Sequence, residues 1–152
     1  MNLKEAIEDL QTGTKHYKLI VLNQGSKDCV HQCETLDFDN IVRININKLL
    51  TEELLVEKTK EEKEHETWDY IKYYLDSFDF NILVLYDVEY MFSPELGNLD
   101  VINNFKYFSR NGYIIVLCIK GNLMDNHLIY SEEGYPDYKS MDVSEVNVVG
   151  WK

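Results

Sequence analysis

With 152 residues, 45% of them hydrophobic, the chain is long enough for one domain with a proper core and too short to divide comfortably into two. Its 27 acids against 15 lysines and arginines leave a formal charge of -12, which opposes unaided binding to nucleic acid, because that affinity comes largely from cationic neutralisation of phosphates. No apolar run approaches the ~18 to 20 residues that span a bilayer, and three cysteines without C-x-x-C spacing imply no disulfide framework, so a reducing, cytoplasmic setting is expected.

Leu3, Ile7 and Leu10 fall on one side of a helix with Ala6 beside them, and Asn2 followed by Glu5 makes an amino-terminal cap. Thr12, Gly13 and Thr14 end that helix. Residues 17–22, apolar and partly β-branched, read as the first strand. A loop over residues 23–28 follows, then a helix expected over residues 29–36, where Cys29 and Cys33, four apart, read as packing.

A strand, a glycine-containing loop with a lysine, and a helix form the layout in which backbone amides and a helix amino terminus hold phosphates. The residues fit the G-x-x-x-x-G-K-[ST] pattern poorly. With Lys27 on the lysine, Ser26 falls on the final glycine, Val21 on the first, and Asp28 on the hydroxyl that meets magnesium. Deleting one loop position brings in Gly25 as a loop glycine without restoring the hydroxyl. A carboxylate at such a mouth repels phosphate by ~1 kcal/mol or more at short range. Gly25, Ser26, Lys27 and Asp28 therefore read as an eroded phosphate cradle, with an ordinary βα turn as the plainer alternative.

Ile41, Val42, Ile44 and Ile46, with Arg43 and Asn45 between them, give a second strand within residues 38–47, and Asn47 caps a short helix over 48–56. Seven glutamates between residues 52 and 66, interleaved with Lys58, Lys60 and Lys63, read as a solvated face or connection. A longer helix emerges from Glu62, with Trp68, Ile71, Leu75 and Phe78 along one face and Tyr70, Tyr73 and Tyr74 widening it.

Residues 80–92 open as an unbroken apolar run, which suits a strand buried on both faces of a parallel sheet, and then turn acidic at Asp87 and Glu89. An apolar strand with an Asp at its carboxyl end and a Glu two residues on suits a magnesium-binding acid followed by a water-polarising one. Ser93, Pro94 and Glu95 then start a helix carrying Leu99, Ile102, Phe105 and Phe108, closed by Gly112. Residues 113–119 are a second unbroken apolar strand. Residues 120–122 leave it as a loop, and 143–149 supply a last, shorter strand.

Together these elements predict a single domain over residues 1–152: a three-layer α/β, P-loop NTPase-like domain with a mostly parallel five-stranded sheet. A ligand belongs at the strand carboxyl ends, where residues 25–28, Asp87, Glu89 and residues 120–122 converge.

Three segments carry a resemblance beyond this general layout. They are Leu83-Val84-Leu85-Tyr86-Asp87-Val88-Glu89-Tyr90-Met91-Phe92, then Phe108-Ser109-Arg110-Asn111, and Leu128-Ile129-Tyr130-Ser131-Glu132-Glu133-Gly134-Tyr135-Pro136-Asp137-Tyr138. Over residues 3–149 the chain resembles the BrxF family, small P-loop-containing proteins of type-3 BREX phage-defence systems. The resemblance implies Lys27 as the phosphate-loop lysine, Asp87 as the magnesium acid, Glu89 as the catalytic, water-polarising acid, and Asn111, with Arg110 as second choice, as the sensor of a terminal phosphate. ATP and magnesium are the implied ligands, and the departures at the loop put hydrolysis in doubt. Two readings of function follow from it. One is a weakly binding or non-binding component that acts through other phage-defence proteins, and the other is an active Mg-ATPase switch of the same system. An acidic DNA mimic or generic interaction module is the alternative from another class, and homo-oligomerisation is left open.

Overall fold

The computed structural model describes residues 2–150, and of Ser26 the backbone alone. Its centre is a sheet of five parallel strands in the order β2-β3-β4-β1-β8. These are β1 (Leu19–Leu22), β2 (Ile41–Asn45), β3 (Ile82–Tyr86), β4 (Ile114–Cys118) and β8 (Asn147–Val149). The two unbroken apolar runs are the inner neighbours β3 and β4, paired in register from Ile82 opposite Ile114 to Leu85 opposite Leu117.

Alternation inside those runs feeds two separate cores. Ile20, Leu22, Ile82, Val84, Ile114 and Val116 face α1 (Leu3–Thr12) and α2 (Ser26–Glu34). Leu19, Val21, Leu83, Leu85, Ile115 and Leu117 face the opposite layer. That layer consists of α3 (Ile46–Leu49), a π turn over Leu50–Leu54, α4 (Lys60–Asp76) and α5 (Val101–Phe108). Each fully buried Leu, Ile or Val contributes about 1.5–3 kcal/mol from removal of apolar surface from water. A strand apolar at every position is therefore stable only where both faces are covered, and the three-layer α/β architecture covers them.

Local signals fix the helix starts. Asn2 and Glu5 form the expected reciprocal cap of α1, and Thr59 with Glu62 forms another for α4. The other boundaries move. Helix α2 begins at Ser26, three residues ahead of Cys29, and the helix expected from Ser93 is only a 3₁₀ turn over Pro94–Leu96. Gly97 ends that turn at φ +82, with its α-carbon against the Glu64 carbonyl of α4, where any Cβ would collide. The chain must leave α4 before it can coil again, so α5 starts at Val101 and Leu99 sits in the connection.

Two features lie outside the sequence reading. Strands β5 (Asn122–Met124), β6 (His127–Tyr130) and β7 (Lys139–Asp142) form a separate antiparallel sheet. It is anchored to the α4/α5 side by buried Leu128 and Met141 and by Tyr130, whose ring stacks on Phe92 at 4.3 Å. The second feature is a disulfide joining Cys29 of α2 to Cys118 at the end of β4, Cα atoms 6.3 Å apart. This corrects the expectation that these cysteines serve as packing alone. Among the described residues no helix is long and apolar enough to cross a membrane.

Candidate functional site

Parallel strands end on a common rim, so Leu22, Asn45, Tyr86, Cys118 and Val149 bring their following residues to one edge of the sheet. Residues 23–28, Asp87, Glu89 and 120–122 all lie there.

The connection from β1 to α2 is three residues long, Asn23, Gln24 and Gly25. Asn23 is 6% exposed and clamps the exit of β4 through paired bonds: its Nδ2 donates to the Gly121 carbonyl at 3.0 Å, and the Gly121 N–H donates to its Oδ1 at 2.9 Å. Its own N–H donates to the Val149 carbonyl at 2.8 Å, so the turn is tied to both neighbouring strands. Gly25 caps α2 at φ -63 and ψ 154, with room for a Cβ. No left-handed or closely approached glycine shapes this segment, so it is a tight βα turn. Wrapping a phosphate takes a six-residue loop of the G-x-x-x-x-G kind.

Beyond the turn, the first turns of α2 face the end of β3 across a cleft of about 750 Å3. Lys27, Asp28, His31 and Glu34 line it from the helix, and Tyr86 and Asp87 from the strand. The cleft thus gathers one lysine against three carboxylates, with His31 beside them. A second cleft of about 710 Å3 lies on the other side of Asp28, between Gln24 and Gly25 and the β4 exit at Lys120 and Asn122. Asp28 borders both, placing negative charge at the amino end of α2, where the helix dipole would otherwise attract an anion. The Ser26 side chain lies outside the described residues.

The two acids after β3 diverge. Asp87 adopts a left-handed backbone at φ +48, and its Oδ2 accepts from Asn45 Nδ2 at 2.8 Å, while its carbonyl accepts from the Asn47 N–H at 2.8 Å. Glu89 accepts from Asn47 Nδ2 at 3.0 Å, and the Asn47 Oδ1 accepts from the Tyr90 N–H at 2.9 Å. Glu89 heads a 3₁₀ turn (Glu89–Phe92), does not line the α2 cleft, and faces Tyr130, whose hydroxyl is held above its ordinary range by burial and then by the Glu89 and Asp137 charges. The cap expected at Asn47 falls instead on Asn45, whose Oδ1 accepts from the Lys48 N–H at 2.9 Å, and Asn47 lies inside α3; the grip of both on the acids follows from the register that sets Asn45 beside Tyr86.

Asn111 is not at this rim. It ends the 3₁₀ turn Ser109–Asn111 that leads into β4, so it lies at the amino-terminal edge, beside a smaller cleft with Trp68, Lys72 and Asn104. Five residues of strand, roughly 15 Å at the usual rise, separate it from the residues that follow β4. The assignment of Asn111, or of Arg110 next to it, as terminal-phosphate sensor is corrected on that ground. Lys120 holds the post-β4 position at the site itself.

A magnesium ion bound with nucleotide asks for one or two carboxylates, a loop hydroxyl and substrate phosphates. Asp87 supplies one carboxylate already bonded to Asn45, and Asp28 replaces the hydroxyl. Among the described residues no group of three or more His, Cys, Asp and Glu side chains is placed to hold a metal ion. The described donors thus differ from the usual nucleotide-magnesium set at the loop position, where Asp28 stands in place of a hydroxyl. Comparison of the chain with family models, with curated proteins and with solved structures gives no match.

Proposed function

We propose that the chain is a P-loop-derived α/β domain of the BrxF kind, a component of a type-3 BREX phage-defence system that has lost nucleotide hydrolysis and acts by contacting larger protein partners. The observation that carries this reading is the rim itself. Lys27 and Asp87 share one cleft, as the two halves of an NTPase site would, yet the loop between β1 and α2 is a three-residue turn pinned to Gly121, with Asp28 at its mouth. The arrangement of strands and acids is kept while the phosphate-wrapping segment is gone. In the opposite direction, retention of Lys27 beside Asp87 favours the Mg-ATPase switch as the second reading.

Titration calorimetry with ATP and magnesium separates the two. The scaffold reading expects no heat in the micromolar range, and unchanged traces for Lys27→Ala. A micromolar constant abolished by Lys27→Ala would promote the switch. Affinity recovery from cells tests the partner claim: other defence-system proteins should co-purify, and their absence under mild conditions would count against it.

A further inference from the structure

The sheet β5-β6-β7 has one covered face and one open face. Leu123, Leu128 and Met141 stand across from one another toward the core, so Met124 pairs with His127, Ile129 with Ser140, and His127 with Asp142 on the outward side. On that side lies a shallow groove of about 530 Å3, with Met124, Ile129 and Tyr138 supplying apolar surface and Asp125, Glu132 and Glu133 carboxylates. His127 and Ser140 also line it, and among the described residues no lysine or arginine does. Met124, 62% exposed, and Tyr135, 59% exposed, are two of the five large exposed hydrophobics among the described residues, and both belong to this module.

The turn that carries the acids is built rather than loose. Ser131 takes a left-handed backbone at φ +67 and donates to Asp137 at 2.8 Å, while the Tyr135 N–H donates to the Glu132 carbonyl at 3.1 Å and the Tyr138 N–H to the Tyr135 carbonyl at 3.1 Å. Glu132 and Glu133 thus line the groove from the β6–β7 turn, and Asp125 lines it from the β5–β6 turn.

We infer that this outward face is a docking surface for a basic, partly apolar segment of a partner protein, an extended stretch in which arginine or lysine alternates with aliphatic side chains. The inference rests on the reading that the chain works through protein partners, and it names the surface and the partner's chemistry. Charge complementarity decides the occupant. Nucleic acid phosphates would meet three carboxylates with no lysine or arginine in the described lining, and a second copy of the chain would bring a further -12. In such an extended segment the aliphatic side chains share one face, which rests on Met124 and Ile129, while the longer basic side chains on the other face bend back over the rim to reach the carboxylates.

The test uses the full chain and a fluorescently labelled peptide of alternating arginine and leucine, read by polarisation at near-physiological salt. Because any protein of this charge attracts cations, the comparison is between two equal changes of charge. Glu132→Lys with Glu133→Lys alters the rim of the groove, and Glu61→Lys with Glu64→Lys alters the exposed face of α4. The groove variant is expected to weaken binding at least about tenfold, the α4 variant by no more than about twofold, and Met124→Glu to weaken it without altering the melting temperature. Equal loss in both double variants, or none in the groove variant, overturns the inference. Failure here alongside recovery of defence proteins from cells would reject this surface and leave the partner reading standing. Failure of both would reject the partner reading itself.

Discussion

Replacing Asn23 by alanine should cost far more than a loop substitution ordinarily does. The side chain is 6% exposed and makes two bonds to a single backbone unit, accepting from the Gly121 N–H and donating to its carbonyl. Each such bond contributes about 1 kcal/mol net, and the truncation also leaves a half-buried donor and acceptor with poorer partners, so the loss is about 2–4 kcal/mol. For a domain of this length that is a fall in melting temperature of roughly 5–15 °C. Asn23→Asp is the sharper control, because a carboxylate still accepts from the Gly121 N–H but turns a second acceptor toward its carbonyl; it should be about as damaging at neutral pH and should recover in part in acid. The assay is thermal and urea unfolding followed by circular dichroism. A shift below ~1 °C for Asn23→Ala would mean that the turn is not held by the β4 exit, and that residues 23–25 are free to form a wider, phosphate-binding loop.

Gly97→Ala should destabilise by about 1 kcal/mol or more beyond Gly112→Ala, since both glycines have positive φ but only at Gly97 would a Cβ strike α4; paired urea titrations measure the difference. Protein denatured without reductant should expose one reactive thiol, Cys33, and three after reduction, and reduction should cost about 4–5 kcal/mol by the loop-closure relation for a separation of 89 residues. Three thiols before reduction would contradict the pairing. Burial pushes the Cys33 thiol from 9.0 up to about 11, with the Arg43 charge opposing. The folded state thus holds its proton after the unfolded chain has released it, so this contribution is intact below about pH 9 and is lost as pH rises toward 11. Alkylation of Cys33 in the native protein should accordingly be much slower than in the unfolded protein at the same alkaline pH.

The elements that could be read from the residues are those whose burial leaves a one-dimensional trace. Strands β3 and β4 announce themselves because covering both faces demands an apolar residue at every position, and α1 because its cap and stripe lie within a single helix. The small sheet leaves almost no trace: of its strand residues only Leu128 in β6 and Met141 in β7 are buried, so no strand there alternates strongly enough to be separated from a loop. Gly97 interrupts a strong Ser-Pro-Glu start for a reason found in α4, more than thirty positions earlier. The partnership of Cys29 with Cys118 likewise spans a distance that spacing rules do not see.

At the rim the division is similar. That Lys27, Asp28 and Asp87 share an edge follows from strand direction alone, and the structure places them around one cleft. The misplacement of Asn111 was avoidable, because a residue just ahead of a parallel strand lies opposite to the residues that follow its neighbours. Asn23 could not have been singled out. A polar residue after a strand reads as solvated, and its burial depends on where the exit of β4 happens to run.

The most direct measurement is phosphate release from saturating Mg-ATP by the purified chain, set beside the Lys27→Ala and Asp87→Asn variants. A rim whose β1–α2 connection is a pinned three-residue turn predicts the same background rate for all three. Magnesium-dependent turnover in the parent chain that disappears in either variant would contradict the account.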